Sequence, residues 1–389
     1  MSEKKLRIAG VLPGDIENHP ASRIKYGLFF EALARQFELV DICDASLHGT
    51  ARLWNAVQVF HPDLGRWRKR YWQNNPAFRA RSRLASASVR SLGKEVDAVM
   101  QISLLFDSNW EPSDVPKFIY TDYTAHLSAR RPDAGRSPFT PRQFDEWIRM
   151  EERAYTRSTH IFTRGKFVRE SLLVDYGLSP DKVTAVGGGV SFSSLPEANL
   201  GQESENPVAF FLGRDFYRKG GDILLKAFAQ ARDEYPQAKL LVMTRDAIPE
   251  GLPMEGVELL SSAWDREKLK TYFQRANLFI LPSRLETWGD VLLEAMAYSL
   301  PCIGVRESAM PEIIDHERTG LLVEPENIDD LALAMKKMFG NHVLRREFGI
   351  AARQRVEKFF TWDHVVNLMK PIILETSNSF LEVRNEEDS

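Results

Sequence analysis

Cysteine is nearly missing: only Cys43 and Cys302 occur in 389 residues, and both sit in apolar surroundings. Two reduced, buried thiols exclude a disulfide-stapled secreted domain and fit a cytoplasmic chain. Long apolar stretches are missing too, since no run approaches the roughly 20 residues that span a bilayer. Residues 1–7 are polar and charged and carry no apolar signal-peptide core. There is no Asp-x-Asp motif and no His/Cys cluster at ligand spacing, so neither a metal nor any other cofactor is expected. The net charge of −3 gives no general affinity for polyanions, and nucleic acid is not an expected partner.

What charge there is lies unevenly. Residues 1–200 hold 28 Lys/Arg against 23 Asp/Glu, and the remainder holds 23 against 31. The basic excess centres on residues 66–83, where Arg66, Arg68, Lys69, Arg70, Arg79, Arg81 and Arg83 alternate with Trp67, Tyr71, Trp72 and Phe78 and no acid intervenes. Two readings stay open: a solvated face of a helix pair, or contact with an anionic membrane surface or a phosphate-bearing acceptor.

At about 100–200 residues per domain, the length predicts two domains. Short, nearly continuous apolar runs occur at 6–12, 37–43, 98–103, 117–121, 160–163 and 182–186, and again at 208–212, 239–244, 257–261, 278–282, 301–305 and 320–323. Such runs suit strands buried on both faces, and the segments between them have helical period. The pattern predicts an α/β fold of two Rossmann-like, doubly wound lobes with a cleft between them. The lobes are expected at 1–190 and 207–365, joined by a polar linker at 191–206 that carries Pro196 and Gly201. Residues 366–389 are expected to pack back on the first lobe and to fray from about Glu375.

Ligands of open α/β sheets bind beyond the carboxyl ends of the strands. Two such places carry chemistry. After the run at 208–212 come Gly213, Arg214, Lys219, Gly220 and Gly221, two cations beside a helix start, which can hold a diphosphate. Arg218 between them reads as a bystander. After 278–282 come Glu286, Gly289 and Glu294, a loop carboxylate, a glycine at a helix start and a second carboxylate flanked by Leu292, Leu293 and Met296. An inward carboxylate needs partners, and sugar or ribose hydroxyls would serve.

Together these elements resemble the family 4 retaining glycosyltransferases, also called glycosyl transferases group 1, which have the GT-B fold. The likeness rests on Gly213-Arg214, Lys219-Gly220, Pro282-Ser283, Glu286-x-Trp-Gly with Glu294-Ala-Met-Ala, Leu300-Pro301, Pro311-Glu312-Ile-Ile, Gly320-Leu-Leu-Val and Trp362. It implies that Glu286 contacts the transferred sugar, that the loop of Thr287, Trp288, Gly289, Asp290 and Val291 binds sugar hydroxyls, and that Glu294 holds the ribose. Arg214 and Lys219 would stabilise the departing nucleoside diphosphate, with Gly213 behind them. In the first lobe the resemblance picks out Gly14 as a turn near the diphosphate, His126 near the reacting sugar, and Asp122 to orient it or take the acceptor's proton. The paired glycines usual in that turn are absent here. Gly187, Gly188 and Gly189 are either a close approach to ligand or a plain hinge. Asp290 stands where the family has an apolar residue, and Ser261-Ser262-Ala263 where it has glycine. The implied function is hexosyl transfer from a nucleotide-diphosphate sugar to a saccharide or lipid-linked acceptor, in bacterial surface polysaccharide or glycolipid assembly at the inner membrane face. A GT-B sugar-nucleotide epimerase and a non-catalytic donor-binding subunit remain alternatives.

Overall fold

A computed structural model of the chain describes residues 5–16, 26–131, 139–199, 206–261 and 265–387. The chain divides into two compact units, one of Met1–Gly189 with Trp362–Ser389 and one of Val190–Thr361.

The first unit is a parallel sheet of β1 (Arg7–Leu12), β2 (Glu38–Asp44), β3 (Ala98–Ile102), β4 (Lys117–Thr121), β5 (His160–Thr163) and β6 (Val183–Ala185). Its strand order is β2-β1-β3-β4-β5-β6. Between the strands run helices α1 (Leu28–Gln36), α2 (Gly49–Gln58), α3 (Leu64–Trp72), α4 (Asn75–Ser91), α5 (Ala125–Ala129), α6 (Pro141–Arg157) and α7 (Lys166–Val174). The central strands read as nearly continuous apolar runs because both faces are covered: all of β3, β4 and β5 is buried, including Lys117 and His160, whereas edge strand β2 is mostly half-buried or exposed.

The second unit holds β7 (Val208–Leu212), β8 (Lys239–Met243), β9 (Val257–Leu259), β10 (Leu278–Ile280), β11 (Cys302–Val305) and β12 (Gly320–Val323). The order is β12-β11-β10-β7-β8-β9, again parallel throughout. Its helices are α8 (Gly221–Arg232), α9 (Arg266–Arg275), α10 (Asp290–Ala297), α11 (Met310–Ile313), α12 (Ile328–Phe339) and α13 (His342–Phe359). Strand order reverses between β7 and β10, so the two loops singled out in the sequence leave neighbouring strands at the switch point where open α/β sheets bind their ligands.

Three expectations about boundaries change. The chain returns to the first unit at Trp362, not after 365. Helix α14 (Trp362–Glu387) begins there, and Trp362, Val365, Val366, Met369 and Ile373 are buried with Phe29, Phe30 and Leu33 of α1. The Trp362 ring lies 5.5 Å from that of Phe29, and burying so large an aromatic fixes the crossing point. The tail does not fray at Glu375. It stays helical to Glu387, because Ser377 is buried and Leu381 packs on the same core. Finally, the described part of 191–206 is not a loose linker. The Asn199 amide donates to the carbonyls of Gln274 at 3.0 Å and Ala276 at 2.9 Å, and Arg353 donates to the Pro196 carbonyl at 2.6 Å, pinning this stretch to the second unit. Residues 200–205 lie outside the described residues.

Candidate functional site

The site is built where β7 and β10 end. Gly220 caps α8 in a left-handed conformation, with φ of 73°, and a Cβ there would lie 1.9 Å from the Pro282 carbonyl oxygen. Only glycine lets the two loops come so close. They are then laced together. Arg284 donates to both oxygens of Asp222, at 2.6 and 2.9 Å, and to the Tyr217 carbonyl at 2.6 Å, and its guanidinium stacks 3.9 Å from the Tyr217 ring centre. Its own N–H donates to the Arg218 carbonyl at 2.9 Å. In return Arg218 donates to the Leu285 carbonyl at 2.9 Å while pairing with Asp215 at 3.3 Å. Arg218 is therefore no bystander. It fixes the residue just before Glu286.

The result of this lacing is a direct ion pair between the Lys219 ammonium and the Glu286 carboxylate, each only 9% exposed. The two residues stand 67 positions apart in the chain. A buried pair of this kind is costly to desolvate, and its retention here needs a reason beyond stability.

Gly289, at φ of 104°, turns the loop into α10. As at any helix start, the first turn carries amides without a full set of intrahelical acceptors, although Leu292 N–H already donates to the Gly289 carbonyl at 2.8 Å. Thr287 and Trp288 are buried, and Asp290 and Val291 are half-buried in the first turn. Glu294 lies one turn further on, and its carboxylate has no hydrogen-bond partner among the described residues. Burial first, and the charge of Asp290 second, push it up to about 7, with Arg266 opposing. Gly213 closes on the Lys219 stem, where a Cβ would meet Lys219 Cβ and Cγ at 2.8 Å. Exposed Arg214 is held below its ordinary value by partial desolvation and then by the charge of Arg245.

Arg245 and Arg266 escaped the sequence reading. Arg245 follows β8 directly, so the rule that flagged Arg214 and Glu286 would have found it. Arg266 opens α9, and nothing in its sequence neighbourhood marks it. Ser262 and Ala263 lie outside the described residues.

The first unit treats its candidates differently. Gly14, at φ of 140°, makes the expected turn, but its N–H donates to Asp44 at 2.8 Å, so that amide is already engaged. The remainder of that turn, from residue 17 to 25, lies outside the described residues. His126 packs its ring edge-on against Tyr176 at 5.0 Å and Phe144 at 5.9 Å. Asp122 instead lines a small cavity with Ser103, Arg164, Tyr120 and Trp362. The three glycines are explained within the unit: Gly187 has a φ of 81°, a Cβ on Gly188 would strike Arg164 at 2.4 Å, and one on Gly189 would strike the Trp362 ring at 2.5 Å. A buried carboxylate that the sequence did not mark, Glu151, accepts from Trp147 at 2.8 Å, from the Ala125 N–H at 3.1 Å and from the Tyr176 hydroxyl. It holds the ring on which His126 rests, and burial pushes it up to about 7. Among the described residues no group of three or more His, Cys, Asp or Glu side chains could hold a metal ion.

The raised value of Glu294 makes a testable statement about stability. An acid whose folded value, about 7, exceeds its ordinary 4.5 keeps its proton longer in the folded than in the unfolded chain. Folded protein then binds more protons between these values, so stability falls as pH rises through that window. Glu294→Gln removes this contribution and gains on the wild type from pH 5 to pH 8. Denaturant midpoints across that range check it, and parallel curves for the two proteins would refute it.

Residues 197–355 match the glycosyl transferases group 1 family. A D-inositol 3-phosphate glycosyltransferase from Jonesia denitrificans is 25% identical over 279 residues, which are 65% of this chain and 66% of the relative, just under two thirds of its length. An alpha-maltose-1-phosphate synthase from Mycolicibacterium smegmatis is 28% identical over 368 residues, 84% of this chain and 90% of the relative. Among solved structures, sucrose-phosphate synthase from Thermosynechococcus elongatus superposes with a TM-score of 0.66 at 17% identity, covering 96% of this chain and 100% of that one. That likeness shows the fold.

Proposed function

We propose that this chain, which belongs through residues 197–355 to the glycosyl transferases group 1 family and has the GT-B fold, is a retaining hexosyltransferase that uses a nucleotide-diphosphate sugar. The acceptor is a hydroxyl of a saccharide or lipid-linked glycan, in bacterial surface polysaccharide or glycolipid assembly. The observation that carries this reading is the buried Lys219–Glu286 pair at the strand-order reversal, with Arg214 alongside. The names of the two relatives, which mention an inositol phosphate and a maltose phosphate, support chemistry on sugars and their phosphates.

When the bond from the anomeric carbon to the diphosphate oxygen breaks, its electron pair leaves with the diphosphate. Lys219 and Arg214 meet that growing negative charge, and the amide-rich starts of α8 and α10 add partial positive charge. These groups are fixed in advance by the Arg284–Asp222 and Arg218–Leu285 links, so little reorganisation is spent during reaction. Glu286, released from Lys219, sits where positive character develops on the sugar ring or where a sugar hydroxyl binds. Glu294 accepts from the ribose hydroxyls. The acceptor oxygen bonds to the same carbon and gives up its proton to a diphosphate oxygen on that face, which retains configuration. Side-chain cations take the place that a divalent metal would fill.

The test is turnover of a panel of nucleotide-diphosphate hexoses with saccharide acceptors by the full chain, with the anomeric configuration of product read by NMR. Transfer with retention and undiminished rate in EDTA is expected. Donor conversion without acceptor would mean an epimerase, donor binding without turnover a silent subunit, and either result overturns the proposal.

A further inference from the structure

The basic and aromatic stretch at 66–83 does not form one surface. Arg81 is 1% exposed, donates to the Trp72 carbonyl at 2.8 Å and stacks on the Trp72 ring. Arg79 pairs with Glu146. Trp67, which the sequence offers as an interfacial aromatic, is spent on holding α2 to α3: its indole N–H donates to the Ala56 carbonyl at 3.0 Å and its ring meets Phe60 edge-on. Asn55 completes that seam by donating to the Tyr71 carbonyl at 3.0 Å.

What remains outside is different and more pronounced. On α2, with Asn55 and Ala56 turned to α3, Leu53, Trp54 and Val57 stand in solvent at 67%, 65% and 68% exposure, followed by Phe60 at 65% and Leu64 at 70%. Large apolar side chains so fully exposed over a dozen residues are not an ordinary surface. The neighbouring exposed cations Arg52, Arg66, Arg68, Lys69 and Arg83 make no ion pair among the described residues. Trp72, 45% exposed, lies at the other end of α3.

We infer that the α2–α3 hairpin is a docking surface for an anionic lipid bilayer, in which Leu53, Trp54, Val57, Phe60 and Leu64 enter the interface while Arg52, Arg66, Arg68 and Lys69 face the headgroups. The charge pattern selects this occupant over a second copy of the chain: a symmetric pairing through the patch would bring the same unpaired cations together, whereas acidic headgroups neutralise them. Neither part suffices alone, since shallow apolar insertion and headgroup attraction each give weak, reversible binding and reinforce one another when combined. No described helix is long and apolar enough to cross a membrane, so the attachment is peripheral. The inference is independent of the sugar chemistry, because it concerns a surface that none of the donor-site residues occupies.

The experiment is flotation of the full chain with vesicles of phosphatidylcholine alone and of phosphatidylcholine with phosphatidylglycerol, at physiological salt. Binding to the anionic vesicles only is expected. Trp54→Ser with Phe60→Ser should release the protein. Arg66→Gln, Arg68→Gln and Lys69→Gln together should weaken binding on the order of a hundredfold, at about fivefold per cation. All these positions are solvent-facing, and unchanged thermal melts confirm that folding is intact. Failure to float with anionic vesicles, equal binding to neutral ones, or a dimer in light scattering that Trp54→Ser dissolves would each overturn the inference.

Discussion

Glu286→Ala is expected to lower the transfer rate by roughly 10³-fold, the scale for losing one preorganised electrostatic group. The structure adds that this variant will not be neutral for folding. Glu286 neutralises Lys219 in a place where both are nearly buried. Removing the carboxylate strands the ammonium, and breaking such a pair costs about 3–5 kcal/mol. Because a diphosphate can supply the missing negative charge, nucleoside diphosphate should raise the melting temperature of Glu286→Ala more than that of the wild type, in proportion to its tighter binding. Two measurements therefore bear on one residue: steady-state transfer, and thermal shift with and without nucleoside diphosphate. Wild-type turnover would remove Glu286 from the reaction. Equal thermal shifts would remove Lys219 from the diphosphate site.

Lys219→Ala is the second large effect. The cation matters most when charge moves onto the leaving diphosphate, so kcat should fall by roughly 10²–10³-fold, and donor affinity by much less. A loss confined to donor affinity would mean that Lys219 binds substrate and transition state alike. The stability of the pair supplies a cross-check. Each single variant leaves one buried charge, whereas Lys219→Ala with Glu286→Ala leaves none. The double variant should unfold later than the less stable of the single variants while remaining inactive, which separates the catalytic loss from the folding loss through a double-mutant cycle. Exposed Arg214 predicts a smaller penalty on folding, since its guanidinium keeps water when the diphosphate is absent.

The two carboxylates thus differ in kind. Glu286 has an ion-pair partner, Lys219. Glu294 has none among the described residues and is pushed up to about 7 by its surroundings, which makes its stability contribution pH-dependent.

Much of the architecture was legible in the linear chain. Each of the twelve apolar runs from 6–12 to 320–323 coincides with a strand within a residue or two, because strands covered on both faces, such as β3, β4 and β10, are apolar at nearly every position. The loops bearing Arg214, Lys219 and Glu286, and the helix start that carries Glu294, were also legible, since they follow strand ends and carry glycine where a helix begins. The sequence by itself therefore determined two parallel sheets and the residue types at their carboxyl ends. It could not show that β7 and β10 flank the reversal of strand order, nor that Arg284, Asp222 and Arg218 lace the two loops until Lys219 meets Glu286. Those contacts join residues some 60 to 70 positions apart, and no local periodicity encodes a pairing at that distance. Exposure was decided in the same way. Arg81 and Trp67 look like interfacial residues in the chain, yet packing turns both inward and leaves Trp54 and Leu64 outside, because which face of a helix is covered depends on what the rest of the fold brings against it.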